Sequence, residues 1–312
     1  MTASNAPEEP REIGRYRVTR LLLTYAEGVV YEAIDPLLER KLVIKVFSLD
    51  GVAAAEAAAV SDLFFDEIRR VGMLAHPGIA TLFDAGVLPS GLYAATEHIE
   101  GMNLGAWLAE RPDWPLANRV SVLAQVADVL EYVHGQGDAH LGLGATNVFV
   151  TADGAVRVAG FGAARVVQAL RRARSDAPSV TPATTADSAE RRIAQARADV
   201  YALGALARTV LAADADARVA SVLERALSDD PAARFPSAGP FASALLDAVG
   251  LSPERDRLVW EPVRHGAAVG DNPTCAQETW SGALDSAELY DDSETRLSPG
   301  APTVMARSRT DS

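Results

Sequence analysis

Residues 140–162 read HLGLGATNVFVTADGAVRVAGFG. Two short apolar runs, NVFV and VRVAG, lie on either side of the turn-like residues TADG, which is typical of a small pair of strands. The flanking sequence has helical spacing of its apolar residues instead, before this stretch at 117–135 and after it at 199–213, 217–227 and 237–249. The sequence therefore predicts a helical C-terminal half with a few short strands at its centre.

The first hundred residues have a different pattern. Strand-like runs cover residues 16–47, a helical pattern covers 51–75, and two more strand-like runs follow His76. We therefore predict an α+β protein, with a small β-rich lobe over residues 13–100 and a helical lobe over residues 101–250.

Three segments fall outside this pattern. Residues 1–12 are polar and are predicted to be a flexible arm, and residues 251–312, rich in Asp, Glu, Ser, Thr, Pro and Gly, a disordered acidic tail. Residues 163–195 are rich in Arg, Ala, Ser and Thr, which indicates a mobile segment inside the helical lobe.

Composition narrows the class of partner. The 312 residues carry a net charge of −13, which disfavours nucleic acid and anionic membranes as partners and leaves other proteins. The single cysteine, Cys275, cannot form an internal disulfide, and no apolar run is long enough to span a bilayer. We expect a cytoplasmic protein without a membrane span.

Short motifs then occur in a fixed order along both halves. In chain order they are Leu42-Val43-Ile44-Lys45, Glu67 upstream of His76-Pro77-Gly78-Ile79, the LYAATEHIEG run that contains Thr96, Asn147 after His140, Phe161-Gly162, Ser188-Ala189-Glu190, Asp199 in RADVYALG, and Arg234 in DDPAARF. With these motifs the chain resembles the bacterial serine/threonine protein kinases of the eukaryotic-like type, over about residues 14–248. The resemblance implies a bilobal protein-kinase-like fold.

The resemblance also assigns a nucleotide site. Lys45 would hold the α- and β-phosphates of ATP and pair with Glu67, and the backbone from Glu97 to Ile99 would face the adenine. The vestigial nucleotide-binding positions are Val30, Val43, Lys45, Glu67, Thr96, Glu97, Ile99, Asn147 and Phe149. Structural roles are implied for His140, Phe161, Glu190, Asp199 and Arg234, with Glu190 and Arg234 as a buried pair.

The departures from the family pattern decide the expected activity. Gly142 takes the place of the catalytic aspartate, Gly144 that of the neighbouring lysine, and Gly160 that of the aspartate that holds magnesium. Glycine has no side chain, so no catalytic position is intact and no metal site is expected. We therefore predict a degenerate member of the family, a pseudokinase.

The nucleotide pocket departs from the pattern as well. Residues 23–28, LTYAEG, stand where the family has a glycine-rich loop. By the same resemblance, Val43 replaces the usual smaller alanine above the adenine, and Phe149 replaces the usual leucine below it. No cofactor is expected, and magnesium least of all. Because Lys45 and Glu67 remain, ATP stays the one candidate nucleotide, and two alternatives stay open: a weakly active or atypical kinase, and a nucleotide sensor that needs no metal.

The helical pattern at 199–213 is followed almost directly by the pattern at 217–227. This leaves no room for the helix that the family has between them, helix G, so a shortened helical lobe is predicted. The partners then expected are an active serine/threonine kinase and a forkhead-associated-domain protein that reads phosphothreonine. The candidate phosphoacceptors are Thr184, Thr185, Thr295 and Thr303. The alternative is a solvated tail whose threonines have no role.

Overall fold

The computed structural model describes residues 10–175, 188–212 and 216–251. The strands are β1 Glu12–Ile13, β2 Tyr16–Tyr25, β3 Gly28–Asp35, β4 Arg40–Ser48, β5 Leu82–Leu88, β6 Gly91–Glu97, β7 Gly101–Asn103, β8 Val148–Thr151 and β9 Val156–Val158. The helices are α1 Ala54–Gly72, α2 Leu104–Glu110, α3 Leu116–Gly135, α4 Ala163–Arg174, α5 Ser188–Val210, α6 Ala217–Ala226 and α7 Ala238–Val249.

The N-terminal lobe is built on one antiparallel sheet of six strands. Its order is β1-β2-β3-β4-β6-β5, and β4 at its centre pairs Lys45 with Val30 on one side and with Ala94 on the other. Because side chains alternate along a strand, Val43, Lys45 and Phe47 share one face of this sheet. That face lines the candidate site.

Helix α1 packs against the same face. Its buried positions, Val60, Phe64, Glu67 and Val71, recur at spacings of three and four, so they form one stripe along the helix. Phe64 meets Phe47 of β4 edge to face, with ring centroids 5.7 Å apart. The stripe places Glu67 at the bottom of the lobe with 1% of its surface exposed.

The C-terminal lobe is helical and has its own core. Helices α3, α5, α6 and α7 bury apolar side chains such as Leu123, Leu203 and Phe241 together, and the three-stranded sheet β7-β8-β9 lies at the edge of this core. Helix α6 begins soon after the end of α5, with Asp216 as its N-cap. The prediction of an α+β bilobal fold with a shortened helical lobe is confirmed.

Two sequence expectations need correction. The predicted mobile segment at 163–195 instead contains the helix α4 and the first turns of α5, and between them residues 176–187 lie outside the described part of the chain. The predicted arm ends earlier than residue 12, because Glu12 lies in β1 and pairs with Arg17 of β2. The rest of the arm, through residue 9, and the tail beyond Leu251 lie outside the described residues, so those two predictions stay predictions.

Candidate functional site

The loop that resembles the catalytic loop of kinases is shaped by one buried carboxylate. Asp199, on α5, is fully buried and accepts hydrogen bonds from the backbone N–H groups of His140 and Leu141, each at 2.7 Å. His134 Nε2 lies 3.0 Å from its Oδ2. These contacts hold Leu141 at a φ of 59°, an uncommon backbone conformation for leucine. Both carboxylate oxygens of Asp199 therefore take part in hydrogen bonds that shape this loop.

His140 is part of the same packing. Its ring lies edge to face against Phe161, with centroids 4.5 Å apart, and its Nε2 lies 3.0 Å from the carbonyl oxygen of Ala159. Burial lowers the pKa of His140, which favours the neutral imidazole. His140 is thus packed against Phe161 and the backbone of Ala159.

Three glycines at positions that kinases use for catalysis or metal binding, by the resemblance, surround Asn147: Gly142, Gly144 and Gly160. The Asn147 side-chain amide donates to the carbonyl of Gly142 at 2.6 Å, and its backbone N–H donates to the carbonyl of Gly144 at 3.0 Å. Gly160 has a φ of 93°, and a Cβ there would lie 3.3 Å from Asn147 Oδ1. Asn147 is thus buried, and its side chain and backbone donate to backbone carbonyl groups of the same loop. Among the residues that the structure describes, no cluster of three or more His, Cys, Asp or Glu could hold a metal ion.

Glu67 does not pair with Lys45, contrary to what the resemblance implies. Its carboxylate accepts from Arg165 Nη1 on α4 at 2.9 Å, and Arg70 one turn further along α1 forms a second ion pair with it. Arg165 also donates to Asp138 at 2.8 Å. Two arginines and two carboxylates thus form a neutral cluster between α1, α4 and the loop that precedes His140.

Lys45 is left without a partner. No hydrogen bond or ion pair joins its ammonium group to any described residue, although its side chain is only partly accessible. Burial lowers its pKa to about 8. Lys45 lies on the wall of a cavity of about 70 Å³, between β4, α1 and the Phe161 segment.

Helix α4 occupies the space in front of these residues. Its buried side chains, Val166, Val167 and Leu170, pack with Phe47 and Phe64 in one apolar cluster beneath the sheet. Their spacing along Ala163–Arg174 forms one apolar stripe, which is why this stretch folds as a helix when it docks. The helix therefore lies against both α1 and the sheet.

Arginines of α4 also fasten the turn between β2 and β3. Arg171 Nε donates to Glu27 at 2.8 Å, and Glu27 is only 3% exposed. Arg174 donates to the carbonyl oxygens of Ala26 at 2.9 Å and Ser48 at 2.8 Å. The hairpin that stands where kinases have the glycine-rich loop is thus bound to a helix of its own chain.

The other end of α4 lies against the loop that contains Gly142. A Cβ on Gly142 would lie 3.2 Å from the Cβ of Ala164, closer than ordinary van der Waals contact. The absence of a side chain at Gly142 therefore gives α4 the room it occupies. The sequence analysis does not predict α4, because residues 163–195 as a whole show little apolar periodicity. The available signal was the apolar spacing Val166, Val167, Leu170 among arginines.

The residues assigned to the adenine side by the resemblance lie on strands of both lobes. Val30 is fully buried in a cluster with Leu22, Leu23 and Val43. Thr96 Oγ1 lies 3.5 Å from the carbonyl oxygen of Val43, on the neighbouring strand. Phe149, on β8, is half-buried.

Backbone groups of the hinge are engaged locally. The N–H of Glu97 donates to Thr81 at 2.8 Å, the carbonyl of Ile99 accepts from Gly101 at 2.9 Å, and the Glu97 carboxylate pairs with Arg157. The groups that the resemblance offers to an adenine are therefore partly used by the protein itself.

The prediction that Glu190 forms a buried pair with Arg234 is wrong about burial. Glu190 is exposed, in the first turn of α5. Arg234 stacks over Tyr201, with its guanidinium carbon 4.7 Å from the ring centroid, and donates to the carbonyl oxygens of Ser228 and Arg197. Arg234 thus ties α5 to the segment before α7. The candidate phosphoacceptors Thr184, Thr185, Thr295 and Thr303 lie outside the described residues.

No helix within the described ranges is both long and apolar enough to cross a membrane.

Comparison with known proteins gives one consistent result. The family model described as the protein kinase domain matches residues 22–223. The serine/threonine-protein kinase PknA of Mycobacterium tuberculosis is 28% identical over 297 residues, which cover 85% of this chain and 68% of PknA. Pkn1 of Myxococcus xanthus is 27% identical, over 93% of this chain and 48% of Pkn1. Among solved structures, the kinase domain of PknI from M. tuberculosis, crystallised as a double mutant, is 26% identical with a TM-score of 0.58, and the match covers 76% of this chain and 97% of that one. The chain belongs to the protein kinase domain family.

Proposed function

We propose that this chain is a pseudokinase, a kinase-fold protein that works by binding, as a scaffold or regulator in bacterial serine/threonine phosphorylation signalling. The observation that carries the proposal is the position of α4, between the β2–β3 hairpin, α1 and the loop that contains Gly142. Active kinases hold the phosphates of ATP between a glycine-rich loop, a lysine and the metal-binding loop. The contacts of α4 with the hairpin and with the Gly142 loop support the proposal that the helix takes this space.

The chemistry of the loop supports the same conclusion. Phosphoryl transfer depends on positioned metal ions and on a base that accepts the proton of the attacking hydroxyl. Gly142 and Gly160 supply neither carboxylate, and the Asn147 amide donates to the Gly142 carbonyl. Removal of a general base alone lowers a rate by about 10² to 10⁴.

The direct test is a phosphotransfer assay on the purified full chain. We expect no transfer from ATP to the chain itself or to a generic protein substrate, with Mg²⁺ or Mn²⁺, above the level of the Lys45→Met variant. That variant is the matched control, because a contaminating kinase would give the same background in both preparations. Metal-dependent transfer that disappears in Lys45→Met would contradict the proposal and support the weakly active kinase.

A second candidate function is a nucleotide sensor that needs no metal. The observation that favours it is the unpaired ammonium group of Lys45 on the cleft side of β4. A sensor requires that α4 leave its place when ATP binds. It predicts thermal stabilisation by ATP without Mg²⁺, lost in Lys45→Met and retained in the exposed Lys41→Met control.

The proposed partners are an active serine/threonine kinase and a forkhead-associated-domain protein. Incubation with an active bacterial kinase of this family should phosphorylate one or more of Thr184, Thr185, Thr295 and Thr303, as mapped by mass spectrometry. The phosphorylated chain, and not the Thr→Ala chain, should then bind a forkhead-associated domain. Binding that is independent of phosphorylation would reject this partner class.

A further inference from the structure

Arginines from three helices meet at the loop that follows α3. Arg165 of α4 donates to the Asp138 carboxylate at 2.8 Å, and Nε of Arg70, on α1, lies 4.0 Å from the same carboxylate. Arg192, on α5, packs close to the preceding residue of the loop, since a Cβ on Gly137 would lie 3.2 Å from its Cδ. We call the surface that Arg70, Arg165 and Arg192 form around this loop the arginine face.

The arginine face presents positive charge to solvent. The two carboxylates that pair with it, Glu67 and Asp138, have side chains that are only 2% and 12% exposed, whereas the side chain of Arg70 is 49% exposed. Arg192 and its neighbour Arg191 are both exposed, and within the described ranges no ion pair or hydrogen bond engages either side chain. The whole chain carries a net charge of −13, so this face is a local exception that attracts acidic groups.

Exposed apolar side chains lie next to these arginines. Ile193, 51% exposed, follows Arg192 directly in α5, and Met73, 83% exposed, is the C-cap of α1. Met73 comes three residues after Arg70, and residues at that spacing are neighbours on a helix surface. A basic surface that also offers apolar side chains fits an acidic peptide with apolar residues in it.

The sequence contains a segment of this chemistry outside the described residues. Residues 285–295, DSAELYDDSET, include five carboxylate side chains and no Lys, Arg or His, and Leu289 and Tyr290 stand among the acidic residues. The segment begins 34 residues after Leu251, the last described residue (285 less 251). A chain of that length spans up to about 110 Å when extended, whereas a domain of about 240 residues has a radius of gyration of about 18 Å. The segment can therefore reach the arginine face of its own molecule.

We propose that the arginine face and the adjoining Arg191 bind residues 285–295 of the same chain. The carboxylates of the segment pair with Arg191 and Arg192, and its central Leu-Tyr dipeptide covers Ile193. Single ion pairs at a surface are weak, but the covalent link raises the local concentration of the segment to about the millimolar range. The proposal requires only this surface and the acidic segment, so it does not rest on the chain being a pseudokinase.

The sequence supplies a reporter for this contact. Cys275, ten residues before the segment, is the only cysteine and takes a nitroxide spin label without any substitution. In the ¹⁵N-labelled full chain we expect the amide signals of Gly137 and Arg192 to fall at least two-fold relative to the sample with reduced label. The signals of Leu37 and Val87, two exposed positions of the N-terminal lobe, should keep their intensity. Because salt screens surface charges, 1 M NaCl should restore the signal of Gly137.

Matched variants make the test specific. Arg191→Glu combined with Arg192→Glu should restore the Gly137 signal, and so should replacement of the five carboxylates of 285–295 by their amides. Arg11→Glu combined with Arg17→Glu makes the same change in charge at exposed positions of the N-terminal lobe and should leave the fall in place. Equal intensities of Gly137 and Leu37 in the wild type, or a fall that persists after the change at Arg191 and Arg192, would overturn the proposal.

A mixed sample separates a contact within one chain from a contact between two copies. Spin-labelled chain at natural isotope abundance is mixed with ¹⁵N-labelled chain that carries no spin label. We expect the Gly137 signal to keep its intensity in this mixture. A fall as large as that within the doubly labelled chain would overturn the assignment to the molecule's own segment and assign the face to the segment of a second copy.

Discussion

The two sides of the cleft are held in place by different kinds of contact. On the side of the helical lobe, Asp199 and His134 belong to the hydrogen-bonded network that shapes the loop of His140 and Leu141. On the side of the β2–β3 hairpin, arginines of α4 bind the hairpin itself, through Arg171 to Glu27 and Arg174 to Ala26. The comparison shows that a buried carboxylate of α5 holds one side, whereas arginines of a neighbouring helix hold the other.

The largest expected effect concerns the hydrogen bonds that Asp199 accepts from the loop of His140 and Leu141. Asp199→Ala leaves the backbone N–H groups of His140 and Leu141 without their acceptor in a buried site, and we expect a loss of about 3–5 kcal/mol in the free energy of unfolding. Urea unfolding measures it, and Asp247→Ala, on an exposed position of α7, is the control. A loss below about 1 kcal/mol would mean that the loop does not depend on Asp199.

The next largest effect concerns the ion pair between Arg171 of α4 and Glu27. Arg171→Ala removes the partner of the buried Glu27 carboxylate, so we expect a loss of about 2 kcal/mol and faster amide exchange within α4. Arg172→Ala, at the next and exposed position, is the matched control. If exchange within α4 is equal in the two variants, the Arg171–Glu27 contact does not fasten the helix.

A smaller effect concerns the packing of α4 against the loop that contains Gly142. Gly142→Ala places a Cβ 3.2 Å from that of Ala164, and we expect a loss of about 1 kcal/mol because the neighbouring helix must shift. Gly135→Ala adds the same methyl group at the end of α3, where nothing lies within 4 Å, and should be neutral or slightly stabilising. Equal stability of the two variants would contradict close packing of α4 on this loop.

The smallest effect at neutral pH concerns Lys45. Its pKa is about 8 in the folded protein and 10.5 ordinarily, so between these values the unfolded chain binds more protons and stability rises with pH. Lys45→Met should remove this rise and add up to about 1 kcal/mol at pH 7. Urea unfolding at pH 7 and pH 10 checks it, with Lys41→Met as the control. A rise that persists in Lys45→Met would show that Lys45 does not cause it.

Much of the fold was predictable because periodicity reports directly on packing. The stripe on α1 and the alternation along β4 are both visible in the sequence. The partners of Glu67 were not, because a resemblance assigned Lys45 to it and the competing Arg165 lies 98 residues away. The exposure of Glu190 was missed for the same reason, since a family pairing says nothing of how this chain packs its own residues.

The central claim is that α4 excludes nucleotide from the cleft. A thermal-shift titration of the full chain with ATP, with and without Mg²⁺, tests it most directly. We predict no shift in Tm up to millimolar ATP in either condition. A saturable shift, above all one that requires Mg²⁺, would contradict the claim and show that the cleft still opens to a nucleotide.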